Sequence, residues 1–435
     1  MREEQAQAGG EAGRERPEGL SADATPARVL EDGSSRAESM DRALAAALTS
    51  DLGARGEALE GMAHAATLPL EEAAPKGLAH CQRCEVIPRK IEGPGTLYLN
   101  LPHTHTLGKV LQWLRRSGLE YGERAGVVTV AAPAGSLAPV INPLVDLLAS
   151  TERALTRVVF QPGAQPLQMY DLFGSEDVST FAARVSGDWL LDLLRGDGSR
   201  GDGLSSHFQP IVDAEGVAFG YECLLRGSLG GETIMPGSIF AAARRADLLF
   251  QTDQASRRSA LRAAARAGIR ERVFVNFTPD SIFDAAHCLN SAVRLVDELG
   301  LSREQVVFEV TETERVPDLD HLKRIVAYYR EKGFGVALDD VGSGYASLQV
   351  LLETEPDYAK IDMALVRDVH RDGRKAVLTE KLLETVHALG ARTVFEGVET
   401  AEERDWALAR GVGLFQGYLF GRPAAEPRVA TAPKS

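Results

Sequence analysis

The sequence is short of cysteine, of basic charge and, over its first quarter, of aromatic residues. Four cysteines in 435 residues are too few for a disulfide scaffold, and only Cys81 and Cys84 are closely spaced. Cys223 and Cys288 stand alone in apolar surroundings and read as buried packing residues. The 48 Lys and Arg against 62 Asp and Glu leave a formal charge of −14. That excludes a broad nucleic-acid cradle, because neutralising phosphates takes a basic surface. No apolar run reads as a membrane segment. The best candidate, 127–150, holds three prolines and Asp146, and reads as a strand followed by an apolar helix. The polar, acidic first thirty residues do not read as a signal peptide, so a reduced, cytoplasmic compartment is expected.

What is present is an ordinary globular composition, 44% hydrophobic and 25% charged, in several parts. Residues 1–75 are rich in Ala, Gly, Glu and Arg, and no aromatic precedes Tyr98. Such a tail buries too little apolar surface to offset the entropy of ordering, and it reads as disordered with a short helix possible at 41–52. Residues 78–194 read as a small α/β unit. Strands are expected at 96–101, 127–131, 158–161 and 167–172, with helices at 107–117, 137–149 and 179–194. The glycine-rich stretch at 195–204 reads as a linker.

From 205 to 425 short apolar runs alternate with amphipathic helical patterns, followed by a tail at 426–435. The helix near 320–332 places Leu322, Ile325, Val326 and Tyr329 on one stripe. Gly333 and Gly390 sit just past such helices, where a left-handed cap favours glycine. Continuous apolar strands between amphipathic helices imply a parallel sheet covered by helices. The length suits a (β/α)8 TIM-like barrel, with a doubly wound open sheet as the alternative on pattern alone.

The polar residues of these strands collect at their C-terminal ends: Glu222, Asn276, Glu309, Asp339, Asp340, Lys360, Glu396 and Gln416. In a barrel those ends converge on one mouth. Five carboxylates at close range repel, so protons or cations must compensate them. With the Asn276 amide added, the donors are all oxygen, which suits Mg²⁺ or Mn²⁺ rather than zinc. Paired metals beside a lysine are the apparatus for in-line attack of water on a phosphodiester. Lys360 could orient that water or stabilise developing charge.

These motifs carry a resemblance. FQPIVD at 208–213, ECLLR at 222–226, EVTE at 309–312, DDVGSGYASL at 339–348, KID at 360–362, EGVET at 396–400 and QGYLFGRP at 416–423 follow the order of the EAL-domain family of cyclic di-GMP phosphodiesterases. The resemblance implies a barrel whose first strand is antiparallel, and hydrolysis of cyclic di-GMP to linear pGpG with Mg²⁺ or Mn²⁺. It implies that Glu222, Asn276, Glu309 and Asp339 ligate metal, and that Asp340 ligates a second ion. Lys360 resembles the residue holding the attacking water, Glu396 a second-metal ligand or base, and Gln416 a residue orienting water or metal. Gln209 and Arg226 resemble substrate contacts. Glu312 resembles the anchor of the 341–348 loop, which couples dimerisation to metal binding, and Glu399 a residue supporting the ligands from behind. A homodimer and an input role for 78–194 are implied in the same way.

Cys223, Val341 and Ser343 depart from the family's Ala, Phe and Thr, but no expected metal ligand is missing. A non-hydrolytic cyclic di-GMP receptor is the rival reading. No GGDEF-type cyclase motif occurs in the sequence. In the N-terminal unit, Cys81, Cys84, His103 and His105 could make a tetrahedral zinc site. Their spacing matches no common finger, and a redox dithiol or plain reduced thiols are equally readable. From the tail's composition, removing 1–75 should leave specific activity unchanged and shift the melting temperature by less than about 3 °C. Thermal unfolding of the truncated chain checks this, and a large drop would mean that the tail packs.

Overall fold

The computed structural model describes residues 86–163, 167–196, 202–310, 318–342 and 347–429. The expected tail and its 41–52 helix, Cys81, Cys84, Glu312 and Ser343 lie outside the described residues. The first described elements are strand β1 (Glu92–Asn100), helix α1 (Thr104–Ser117), strands β2 (Tyr121–Arg124) and β3 (Val127–Ser136), and helices α2 (Ala138–Leu147) and α3 (Ser150–Leu155). Strand β4 (Arg157–Pro162), helix α4 (Met169–Phe173), strand β5 (Glu176–Asp177) and helices α5 (Val178–Ser186) and α6 (Asp188–Arg195) complete this part. The strands form one sheet in the order β2-β3-β1-β4-β5, with every pairing antiparallel. One sheet face is covered by Val110 and Leu114 of α1, Val140, Ile141 and Leu144 of α2, and Phe181 and Val185 of α5.

Two expectations are corrected here. Residues 167–172 do not form a strand. The Asp171 carboxylate accepts the Gln168 N–H (2.7 Å), which caps a helical turn, and β5 takes the place beside β4. The helix expected over 179–194 is two helices, broken at Gly187.

The second sheet contains strands β6 (Gly203–Asp213), β7 (Ala218–Leu229) and β8 (Glu232–Ile234). Helices α7 (Pro236–Arg245) and α8 (Leu249–Arg266) follow, then strand β9 (Arg272–Phe277), helices α9 (Ala285–Cys288) and α10 (Asn290–Glu298), and strand β10 (Val306–Val310). Helix α11 (Leu319–Glu331) leads to β11 (Gly335–Val341), α12 (Ser347–Thr354) to β12 (Tyr358–Ile361), α13 (Met363–Val366) and α14 (Gly373–Ala388) to β13 (Arg392–Phe395), and α15 (Ala401–Leu408) to β14 (Leu414–Gln416). Eight strands close in the order β6-β14-β13-β12-β11-β10-β9-β7, with β8 as an extra strand on β7. Strand β6 is antiparallel to both neighbours, and β9 to β14 pair in parallel. The expected closed barrel with a reversed first strand is therefore the observed fold.

Both faces of these strands are buried, which is why they read as continuous apolar runs. Outward side chains such as Val275, Phe308, Leu338 and Phe395 pack under the helices. Ile211, Phe274, Val307, Ala337, Tyr358, Val394 and Leu414 plug the barrel interior. Helix α6 is tied to the barrel wall through a separate apolar cluster. Leu190, Leu193 and Leu194 meet Leu204 of β6, Leu225 of β7 and Ile239 of α7. Lys90 donates to Asp192 (2.7 Å) on the opposite side of the same helix. Among the described residues no helix is long and apolar enough to cross a membrane.

Leu193 is fully buried in that joint. Leu193→Ala should lower the unfolding free energy by about 2–5 kcal/mol through lost transfer energy and a residual cavity. Denaturant midpoints at constant slope measure this, and a shift equivalent to less than about 1 kcal/mol would mean that the joint collapses to fill the gap.

Candidate active site

Strand geometry builds the site. Side chains two residues apart share a face, so each interior apolar residue is followed, one pleat higher, by a polar residue aimed into the same barrel. Phe274 precedes Asn276, Val307 Glu309, Ala337 Asp339, Tyr358 Lys360, Val394 Glu396 and Leu414 Gln416. Glu222 joins this layer from β7. In the reversed strand β6, Gln209 stands opposite Glu222 in the pairing register. Behind Gln416 the backbone is packed so closely that a Cβ on Gly417 would lie 2.0 Å from the Val398 carbonyl oxygen, so only glycine fits there.

At the centre is the Lys360 ammonium, whose side chain is 1% exposed. It lies 3.1 Å from Glu222 Oε2, 3.0 Å from Glu309 Oε1, 2.9 Å from Asp339 Oδ1 and 2.8 Å from Glu396 Oε1. Glu222 also accepts from Asn276 Nδ2 (2.9 Å) and Gln416 Nε2 (2.7 Å). One cation thus faces four carboxylates. At an effective dielectric near 20, like charges about 4 Å apart repel by about 4 kcal/mol, so this lysine does not neutralise the group.

The protonation equilibria follow. Burial pushes the Glu309, Glu396 and Asp339 carboxyls up, Lys360 only partly counters it, and neighbouring carboxylates add to the rise. Glu222 is the exception. Burial raises it, but Lys360, Gln416 and Asn276 together hold it below the usual carboxylate range. Burial lowers Lys360, and the four carboxylates overcome it and hold the amine well above its usual value.

Asp340 follows Asp339 directly, and in a regular strand it would point outward. The pairing with β12 slips here, since Leu338 to Val341 spans one residue more than Ala359 to Ile361. Asp340 takes a left-handed conformation (φ 52°) in this bulge. The bulge turns its carboxylate back to the mouth, where Asp339, Asp340 and Glu396 offer oxygens within 4.8 Å of one another. Burial, then Asp339 and then Asp362 push Asp340 up to about 7.

The donor set fits divalent cations. Among the described residues, Asn276 Oδ1, Glu309 Oε2 and Gln416 Oε1 are buried and accept no hydrogen bond. Unpartnered buried acceptors are costly, and a cation bound by oxygen would satisfy them. The raised carboxyls reflect the same shortage of positive charge.

A cavity of about 240 Å³ opens beside this layer, lined by Gln209, Glu222, Asp340, Arg367, Glu396 and Gln416, with Tyr418 at its edge. A second of about 390 Å³ lies across Glu222, bounded by Phe240, Asp253, Asn276, Thr278 and Asp339. Gln209 donates weakly to the Gly421 carbonyl (3.4 Å). Arg226 donates to the Leu225 carbonyl (2.7 Å) and is not among the residues lining either cavity. Glu399 stands at the rim in a two-point contact with Arg367, 2.5 and 2.6 Å. Cys223 is buried, and burial pushes its thiol up, so it is a neutral packing residue. His103 and His105 stack at the start of α1, and His105 Nε2 lies 3.1 Å from Glu152. Arg367, Asp362 and Asp253 were not singled out from the sequence. Asp362 sits inside the KID motif, whereas nothing in the sequence marks Arg367 or Asp253.

A (β/α)8 barrel whose strand ends gather carboxylates, amides and one lysine defines the class: a barrel protein with an acidic, all-oxygen mouth. The EAL domain family model matches residues 193–423, more than half of the chain, and the chain belongs to that family. It is similar to the blue light- and temperature-regulated antirepressor BluF of Escherichia coli K12, 24% identical over 317 residues, covering 67% of this chain and 76% of that protein. It is similar to the cyclic di-GMP phosphodiesterase RocR of Pseudomonas aeruginosa PAO1, 30% identical over 230 residues, covering 51% of this chain and 57% of RocR. A standalone EAL protein from Vibrio cholerae O395, solved in a c-di-GMP bound form, is 35% identical, with a TM-score of 0.48 over 52% of this chain and 96% of that one. The chain thus spans little more than half the length of RocR, and 36% of the E. coli phosphodiesterase PdeR.

The raised carboxyls set a pH dependence for the metal-free protein. A carboxyl whose folded-state value lies above its unfolded value destabilises the fold once it must ionise. For Asp340 the loss begins as pH rises past 3.8 and is complete above about 7. In EDTA the melting temperature should fall between pH 5.5 and 7.5. Asp340→Asn should flatten that fall, and Mn²⁺ should raise the melting temperature most at the upper end. A wild-type profile in EDTA that matches Asp340→Asn would sink the argument.

Proposed function

We propose that this chain hydrolyses cyclic di-GMP to linear pGpG, with two divalent cations, Mg²⁺ or Mn²⁺. The observation that carries the reading is the Lys360 ammonium ringed by four carboxylates while buried acceptors on Asn276, Glu309 and Gln416 stand unpartnered. Glu222, Asn276, Glu309 and Asp339 would hold one cation, and Asp340 with Glu396 the second. When bound, such ions withdraw charge from the phosphate and lower the pKa of water.

The chain's own residues set up the displacement. Lys360, charged and fixed by its neighbours, donates a hydrogen bond to the attacking water. Glu396 stands 2.8 Å from that ammonium, placed to receive the proton the water loses. Gln416 keeps a buried Oε1 with no hydrogen-bond partner, available to accept from water or to face a cation. The water oxygen bonds to one phosphorus and the P–O3′ bond breaks, with the bonding pair leaving on O3′, which takes up a proton from solvent. The product keeps a 5′-phosphate and gains a 3′-hydroxyl. Gln209 lines the cavity beside Glu222, and Arg226 carries a planar fork suited to two phosphate oxygens. Curated relatives named cyclic di-GMP phosphodiesterases support the substrate. Leu348 and Leu352 on α12, and Val377 and Leu378 on α14, are exposed apolar side chains that a second copy of the chain would cover, which supports a homodimer. The N-terminal sheet, packed to the barrel through α6, is read as the input unit of a cytoplasmic signalling enzyme.

One observation favours a second reading. A relative matched over 317 residues is named an antirepressor, a regulatory name rather than an enzymatic one. A receptor would bind cyclic di-GMP and leave it intact.

Product formation separates the two. Wild type should yield linear dinucleotide with Mg²⁺ or Mn²⁺ and none in EDTA. Glu222→Ala should lose at least about a thousandfold in rate while still unfolding cooperatively, since each 1.36 kcal/mol of lost transition-state stabilisation is about tenfold. Tight binding with no product, at low and high protein concentration alike, would replace the enzyme with the receptor.

A further inference from the structure

We propose that Arg257 is a positioning residue for Asn276, acting through Asp253 and the turn that follows strand β9. The proposal rests on the reading of Asn276 as a cation ligand. Among the described residues Arg257 is the largest fully buried side chain, on α8, and its partner Asp253 borders the cavity that Glu222, Asn276 and Asp339 also line. Its Nη1 lies 2.7 Å from Asp253 Oδ2, one helical turn earlier, and both side chains are 2% exposed. The Tyr329 hydroxyl of α11 lies beside the guanidinium, without the alignment of a hydrogen bond.

Asp253 reaches beyond its own helix. Its Oδ1 accepts the backbone N–H of Thr278 (2.8 Å), and its Oδ2 accepts the Ser281 hydroxyl (2.9 Å). Thr278 lies two residues past Asn276, where the chain leaves the sheet. Asn276 gives its Nδ2 to Glu222, which leaves Oδ1 for a cation. The direction of that oxygen depends on where the chain turns after Phe277, and Asp253 fixes the turn.

Burial raises the Asp253 carboxyl, and Arg257 together with the Thr278 and Ser281 donors counters that rise. A buried carboxylate without a partner takes up a proton or moves toward water, and either way it loses an acceptor. Arg257 is the cation paired with it, supplied from the same helix four residues on. An apolar side chain would pack this layer as well or better, because desolvating an ion pair offsets most of its attraction. The ion pair therefore has its use in orienting the turn rather than in bulk stability. Groups that orient a metal ligand typically change affinity 10–100-fold when removed.

The test is a double-mutant cycle on Mn²⁺ binding, measured calorimetrically on the full chain without substrate. Arg257→Met should weaken Mn²⁺ binding about tenfold or more. Arg257→Lys should recover most of that loss. In an Asn276→Ala background, Arg257→Met should add no further loss, because the path runs through Asn276. Unchanged affinity in Arg257→Met, or losses that add in the double variant, would overturn the proposal. If Arg257→Met fails to unfold cooperatively, Arg257→Gln, which keeps polar bulk but removes the charge that faces Asp253, goes through the same cycle with the same two outcomes. Wild type that binds Mn²⁺ but forms no linear dinucleotide overturns the enzyme reading alone. Wild type that binds no Mn²⁺ overturns both.

Discussion

The structure turns on one electrostatic constraint: four carboxylates share a closed barrel mouth with a single ammonium. Left as they stand, the carboxylates would repel one another and push the strand ends apart. The barrel resists because its strands are hydrogen-bonded all round, and because an apolar plug below and a packed helical layer outside leave no direction in which to relax. The repulsion is therefore held rather than relieved. It appears as carboxyls of Glu309, Glu396 and Asp339 pushed above their usual range, and as acceptors with no donor. A site in that state has a standing affinity for oxygen-bound cations.

Local irregularities in the backbone decide which groups take part. Strand alternation alone would aim Asp339 inward and Asp340 outward. One extra residue in β11 and a left-handed Asp340 put both at the mouth. The tight contact behind Gly417 brings Gln416 against Glu222, where its amide stabilises the ionised form. Glu222 is therefore held below the usual carboxylate range while its neighbours are pushed up, an asymmetry that the Gln416 and Asn276 hydrogen bonds help set, since burial and Lys360 act on all of them.

The N-terminal sheet and the barrel meet through α6. Its leucines pack on Leu204 and Leu225, and Leu225 lies between Leu224, which lines the larger cavity, and Arg226. The segment ahead of β1 holds the same helix through Lys90 and through an Arg195 contact to the Pro88 carbonyl. A displacement of α6 thus has a short physical route to the barrel wall beside the site.

The sequence by itself determined the alternation of apolar strands and amphipathic helices, the polar residue at each strand end, and so the barrel and the composition of its mouth. Those features are local: a strand buried on both faces must be apolar except where its end reaches solvent or a site. The motif order carried the reversed first strand. The small sheet was less legible. Its strands are short and its antiparallel pairings are made between distant segments, so a stretch such as 167–172, with an alternating pattern, folded instead as a capped turn of helix. Only the tertiary structure decided that Lys360 contacts four carboxylates at once, that a bulge redirects Asp340, and that Arg367 grips Glu399. It also placed Arg257 with Asp253 behind Asn276. Each of these depends on distances between side chains from different strands and helices, and sequence spacing carries no information about such distances until the chain has closed on itself.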